Sequence, residues 1–242
     1  MRIPRFYCPE LNQNIELFNL PLQVHRHAVQ VLRLKEGARI NLFDGKGVEV
    51  SAELQKVSKR ESFASITSQI SKKSESPLPV TLIQGISRGD RMDYTLQKAV
   101  ELGVTKIVPV ITARCNGQFS GQRADKKRGH WEGVIISACE QSGRNMMPSL
   151  ADIQDYEQML AHYNQGTRLI LDPTAELGFN NLEQQTEVSL LIGPEGGFSD
   201  EEVQQANSSG FQSLRFGPRI LRTETAAISA VAVIQTLWGD LG

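Results

Sequence analysis

The sequence predicts two structural units in series: a small, mostly β, barrel-like unit, then an α/β domain on a mainly parallel sheet. Three observations carry this. Short runs of alternating apolar and polar residues fill residues 1–70, the two-residue period of half-buried strands. A polar stretch then ends in two prolines, Ser71-Lys72-Lys73-Ser74-Glu75-Ser76-Pro77-Leu78-Pro79, the composition of a linker. Beyond it, short apolar runs alternate with helical periodicities, the pattern of parallel strands covered on both faces by helices. The domains are set at 1–72 and 73–242.

The elements follow in order. Residues 2–7 read as a strand. Residues 21–34 carry Leu22, Val24, Ala28, Val31 and Leu32 at helical spacing, with Gly37 soon after. Residues 39–43 and 48–54 flank Asp44-Gly45-Lys46-Gly47, a hairpin signal because glycine supplies positive φ. Residues 62–70 alternate as a further strand. After the linker, residues 80–86 form a buried strand and residues 90–102 a helix that Gly103 stops. Residues 106–111 are a strand, 123–141 a long helix, 153–163 another helix, and 168–171 and 188–192 two buried strands. Ser199-Asp200-Glu201-Glu202 is a capping box opening a helix to about Asn207. Residues 214–216 read as a strand and residues 223–238 as a helix apolar on more than one face.

Composition excludes several classes. The chain has 242 residues, 40% hydrophobic and 22% charged, an ordinary globular balance. No apolar run reaches the roughly 18–20 residues that span a bilayer. The first residues carry no apolar core before a cleavage site, so no secretory signal is expected. Cys8, Cys115 and Cys139 are odd in number and far apart, which argues for a reduced, cytoplasmic protein. The net charge of -1 hides an asymmetry: residues 1–147 hold 22 Lys and Arg against 14 Asp and Glu, and residues 148–242 hold 4 against 13. A basic portion points to a polyanion, nucleic acid first.

In a parallel sheet, ligands bind beyond the carboxyl ends of the strands. The loops after Leu171, Ile192 and Phe216 are therefore the places to search, and two of these outlets carry the strongest features. Ile192-Gly193-Pro194-Glu195-Gly196-Gly197 leads from a strand into the capped helix, and Phe216-Gly217-Pro218-Arg219-Ile220-Leu221-Arg222-Thr223-Glu224 leads into the last helix. Glycines there serve either a tight turn or the close approach of backbone to a ligand. The first outlet is not a phosphate loop, because Phe198 stands where Lys is required. Gly45-Lys46-Gly47 lacks the third glycine of a dinucleotide fingerprint, and the four histidines show no zinc-site spacing. Gly85-Ile86-Ser87-Arg88-Gly89 matches a hydrolase elbow, but His130 and His162 lie within helices rather than on outlet loops, which disfavours a Ser–His pair.

Together with Lys98-Ala99-Val100-Glu101-Leu102-Gly103-Val104, the outlets resemble those of the SPOUT class of knotted methyltransferases. The similarity is to the family that methylates N3 of a uridine in 16S ribosomal RNA. It extends to Arg2-Ile3-Pro4-Arg5-Phe6-Tyr7, Ser87-Arg88-Gly89-Asp90-Arg91-Met92-Asp93, Cys139-Glu140-Gln141-Ser142-Gly143-Arg144, residues 192–197 and residues 221–226. The resemblance implies a PUA-like β-barrel before a trefoil-knotted α/β domain, S-adenosylmethionine as methyl donor, and a homodimer. Its substrate would be uracil 1498 of 16S rRNA within the small ribosomal subunit. The donor would be held by Leu171, Pro173, Ile192, Gly193, Gly196, Phe216, Gly217, Ile220, Leu221 and Ala226, with Asp172 departing from the family pattern. For the chemistry, Arg222 would steady the uracil anion, with Glu224 or Glu195 as proton acceptor. Arg2, Arg5, Arg26, Arg33, Arg88, Arg91 and Arg144 would contact RNA.

Overall fold

A computed structural model of the chain describes residues 3–12, 15–71, 74–115, 117 and 119–242. It divides into two compact units: Met1–Glu75 with Cys139–Met147, and Ser76–Ala138 with Pro148–Gly242. The second stretch of the first unit was invisible to a reading that put all of 73–242 in one domain. It is recruited by side chains far away in sequence, described below.

The first unit is a five-stranded mixed sheet. Its strands are β1 (Arg5–Tyr7), β2 (Leu17–Asn19), β3 (Arg39–Phe43), β4 (Glu49–Gln55) and β5 (Phe63–Gln69), in the order β1-β3-β4-β5-β2. β1 pairs parallel with β3 and the other pairings are antiparallel. Alternation puts Val50, Ala52 and Leu54 of β4 into a core with Phe6, Ile40 and Leu42. The hairpin forms at the expected place: Asp44 Oδ1 accepts from the N–H groups of Lys46 (2.7 Å) and Val48 (3.0 Å), and Gly45 takes φ 76°.

The expected helix over 21–34 is α1 (Leu22–His25) widened into a π-helical turn, Arg26–Val31. Buried His25 is fixed by a 2.9 Å hydrogen bond between its Nδ1 and Ser62 Oγ. Leu32 N–H bonds the His27 carbonyl, and Leu34 N–H reaches back to the Ala28 carbonyl. This closure puts Arg33 in the left-handed region at φ 54°. Glycine is the usual occupant of such a position, and a side chain there costs about 1–2 kcal/mol.

The second unit is a parallel sheet of β6 (Val80–Gly85), β7 (Lys106–Ile111), β8 (Ser149–Leu150), β9 (Gln154–Asp155), β10 (Thr167–Leu171), β11 (Val188–Ile192) and β12 (Gln212–Leu214). The order is β12-β10-β11-β6-β7-β8, with β9 also on β7, and every pairing is parallel. All residues of β6 and β11 are buried, as strands covered on both faces require. The helices are α2 (Asp90–Glu101), α3 (Gln122–Ser142, whose last residues fall in the first unit), α4 (Tyr156–His162), α5 (Asp200–Ser208) and α6 (Thr223–Trp238).

Gly103 stops α2 at φ 84° as expected. Ser199 Oγ and Glu202 complete the reciprocal capping box of α5. Two expectations shift. The helix expected over 153–163 begins at Tyr156, because Gln154 and Asp155 pair with β7. The strand expected over 214–216 lies at Gln212–Leu214, so Phe216 stands beyond its end with its ring edge-on to Phe179, centroids 5.4 Å apart.

Candidate functional site

The sheet order places β12, β10 and β11 side by side, so their outlets converge. Leu171 to Thr174 leaves β10, Gly193 to Gly197 leaves β11, and Phe216 to Leu221 follows β12. Together with Arg114, from beyond β7, they enclose a cavity of about 620 Å³. This lies within the usual range for small-molecule sites, about 300–1,000 Å³.

Each outlet is held by local bonding. Asp172 N–H bonds the Leu214 carbonyl, while Asp172 Oδ1 accepts from Thr174 N–H and Oγ1. The Asp172 carboxylate therefore closes its own turn. Gly197 N–H returns to the Pro194 carbonyl. Thr223 Oγ1, at the start of α6, donates to the Gly193 carbonyl and accepts from Gln84 Nε2. Arg114 Nη1 donates to the Gly196 carbonyl at 2.8 Å.

Close packing explains two of the glycines. A Cβ on Gly85 would stand 2.6 Å from Pro194 Cδ, and one on Gly196 would stand 2.9 Å from Arg114 Cβ. At these two positions the backbone packs too tightly for a side chain, whereas Gly197 and Gly217 have open space around them and are required by positive φ, 68° and 73°.

The ten residues expected around a donor, Leu171, Pro173, Ile192, Gly193, Gly196, Phe216, Gly217, Ile220, Leu221 and Ala226, all line this cavity. Sequence reasoning missed Arg114, Asp200 and Val203 in its wall. Arg114 had a signal, since it too follows a strand; Asp200 and Val203 were absorbed into the capped helix. The apolar wall (Leu171, Ile192, Leu214, Leu221, Ala226) suits a flat, uncharged ring system. Arg114, Arg219, Glu195 and Asp200 bring both signs of charge to the same cavity, as a zwitterionic amino-acid tail requires. The donor set therefore fits S-adenosylmethionine.

Glu195 also lines the cavity. Its Oε1 accepts the Arg88 N–H at 2.8 Å and pairs with Arg91 Nη1 at 3.1 Å. Burial alone would raise its carboxyl, but these N–H groups, its own amide and the Arg91 charge outweigh burial and hold it below the usual carboxylate range. Arg222 is exposed at the N-cap of α6. Glu224, the second residue of α6, is half-buried, and its Oε2 is buried without a hydrogen-bond partner among the described residues. Neither Arg222 nor Glu224 lines the cavity.

Among the arginines expected on RNA, Arg26, Arg33, Arg88 and Arg91 are exposed, and Arg2 lies outside the described residues. Arg5 and Arg144 require correction. The Arg5 side chain is 8% exposed. Its Nε and Nη2 donate to the two Glu49 carboxylate oxygens, and Nη1 donates to the carbonyls of Cys139 and Glu140 at the end of α3. A cation so enclosed has no face left for phosphate. Buried Arg144 forms a bidentate pair with Glu75. These contacts draw residues 139–147 into the first unit.

The hydrolase arrangement does not form. Ser87 is buried and donates to the Gly85 carbonyl, His130 bonds Asp93 at 2.7 Å, and His162 bonds the Gln158 carbonyl. Burial raises the Cys8 thiol to about 12 and that of Cys139 to about 11, so both stay protonated.

Comparison with known proteins gives a consistent picture. Residues 74–235 match the model of an RNA methyltransferase domain, and residues 25–67 that of an RNA methyltransferase PUA domain. The chain is 36% identical, over 99% of its length and 98% of the relative's, to ribosomal RNA small subunit methyltransferase E of Buchnera aphidicola subsp. Schizaphis graminum. The Bacillus subtilis protein of the same name is 29% identical over 95% of each chain. A crystal structure of a ribosomal RNA small subunit methyltransferase E from Neisseria gonorrhoeae, bound to S-adenosyl methionine, superposes with a TM-score of 0.93 at 43% identity, covering all of both chains. A Legionella pneumophila structure in complex with the bound cofactor superposes at 0.96 and 40% identity, again over both full chains.

Proposed function

We propose, from the premise that the chain belongs to the ribosomal RNA small subunit methyltransferase E family, that it transfers a methyl group from S-adenosylmethionine to N3 of one uridine (uracil 1498) in 16S rRNA of the small ribosomal subunit. The observation that carries the reading is the cavity at the outlets of three adjacent parallel strands, whose walls suit both ends of that cofactor.

The bound cofactor supplies an electrophilic methyl group; the chain must supply everything else. Uridine N3 bears a proton and is a poor nucleophile until it is removed. Arg222, exposed at the start of α6, provides a positive charge for the developing uracil anion. Glu224 takes the N3 proton, directly or through one water, because its Oε2 has no competing donor among the described residues. Glu195 is the weaker acceptor: Arg88 and Arg91 already occupy its carboxylate.

The reading includes a trefoil-knotted path for the C-terminal segment, an obligate homodimer and action in the cytoplasm on the assembled subunit. The bonds of Thr223 to Gly193 and Gln84, which lash α6 to two strand outlets, support the first. Apolar residues around α6, with Leu237 47% exposed, support the second. Among the described residues, no helix is long and apolar enough to cross a membrane.

Mapping of methylated uridines in ribosomes from a deletion strain tests the proposal. Loss of a single N3-methyluridine from 16S rRNA, restored by the wild-type chain and not by Arg222→Ala, is expected. An unchanged methylation map would overturn it.

A further inference from the structure

The π-helical turn Arg26–Val31 is anchored on one side and bare on the other. Val24 and Ala28 are buried in the core of the first unit, whereas Val31 is 67% exposed and Leu32 44%. The π repeat, with bonds spanning five residues, sets Arg26 one turn from Val31. Arg33 follows directly, held in the left-handed conformation that glycine would take without strain. Residues 22–39 hold four Lys and Arg against one acid, Glu36. Arg26, Arg33 and Lys35 are exposed and form no ion pair among the described residues.

Two aliphatic side chains kept in water, flanked by unpaired cations, suit a partner with both apolar faces and anionic links. An arginine standing in a left-handed position that glycine would occupy without strain points to use of that side chain. We propose that this turn is a wedge that enters an unstacked stretch of the ribosomal RNA: Val31 and Leu32 lie against bases while Arg26, Arg33 and Lys35 hold the neighbouring phosphates. Apolar wedges between bases and cations on phosphates are the two halves of such recognition. The inference rests on the substrate class proposed above, but on none of its chemistry.

Two variants test it, by equilibrium binding to an rRNA fragment containing the substrate uridine and to purified small subunits across a salt series. Arg33→Gly relieves the backbone and removes one phosphate contact. Its Tm should rise by about 2–4 °C, while the slope of log affinity against log salt falls by about 1. Val31→Ser with Leu32→Ser should weaken binding about tenfold with the salt slope unchanged, because the lost contact is apolar. Wild-type RNA affinity in either variant, or a lower Tm in Arg33→Gly, would overturn the wedge. So would a loss confined to the assembled subunit, which would make a ribosomal protein the partner. S-adenosylmethionine binding, measured on the same preparations, tests the reaction separately: its absence in the wild type removes the reaction and leaves the RNA affinities to judge the wedge.

Discussion

Thr223 donates its hydroxyl hydrogen to the Gly193 carbonyl at 2.6 Å, so the first turn of α6 is pinned to the loop leaving β11. The same oxygen accepts from Gln84 Nε2 at 3.0 Å, which adds the end of β6 to the knot of contacts. One buried hydroxyl thus sets the spacing of two cavity walls. Thr223→Val keeps the shape and removes both bonds. Leaving buried polar groups unmatched costs about 1–3 kcal/mol. The variant should lose that much stability in denaturant titrations and bind S-adenosylmethionine several-fold more weakly. Thr223→Ser should restore both. Unchanged cofactor affinity in the valine variant would detach this bond from the site.

Arg5 should prove structural. Removing one partner of a buried ion pair costs about 3–5 kcal/mol, since Glu49 would be left charged without a cation. Arg5→Ala should unfold at much lower denaturant. Arg5→Lys keeps the charge but lacks the planar fork that grips Glu49 and the carbonyls at the end of α3. It should lower Tm yet leave the salt dependence of RNA binding unchanged. A flatter salt slope would return Arg5 to the RNA surface.

That residue also marks the limit of what a sequence discloses. β6, β7 and β11 were legible because a strand buried on both faces is an apolar run, and α5 because its capping box is local. The cavity was legible because strand outlets collect ligands whatever the side chains. An arginine on a basic, alternating strand reads as a surface cation. Only its distant partner, Glu49, puts it inside, and no period or spacing links the two. Arg144 with Glu75 is the same case. Phe216 shows the local counterpart: Leu214 and Phe216 alternate like a strand, but the ring turns to Phe179 and the strand has already ended.

Glu195 gives a pH signature. Burial would raise its carboxyl, but the Arg88 N–H, then its own amide, then Arg91 hold it below the usual range in the folded chain. A depressed folded value contributes stability that is fully present above the unfolded value, near 4.5, and is lost as pH falls through the folded one. The Tm difference between wild type and Glu195→Gln should therefore be constant at neutral pH and shrink in acid below that value. Because the carboxylate is already engaged, kcat at neutral pH should stay within about threefold of wild type, well short of the ~10²-fold loss of a general base. A larger loss, with the acidic limb of the pH–rate profile abolished, would make Glu195 the proton acceptor.

Glu224 is where stability and chemistry should part. Among the described residues its Oε2 is buried with no hydrogen-bond partner, an arrangement that costs free energy in the resting protein. At the second position of α6, its charge also faces the positive end of the helix dipole, which offsets some of that cost. Glu224→Gln removes the proton acceptor and the buried charge together. If the carboxylate serves the reaction, Tm should be unchanged or higher while kcat falls about 10²–10⁴-fold. S-adenosylmethionine affinity should be preserved, since Glu224 does not line the cavity. If the carboxylate serves only the dipole, Tm should fall and single-turnover methyl transfer on small subunits should continue at the wild-type rate. Calorimetry and single-turnover kinetics on one preparation separate the two outcomes, and retention of the wild-type rate would remove Glu224 from the chemistry.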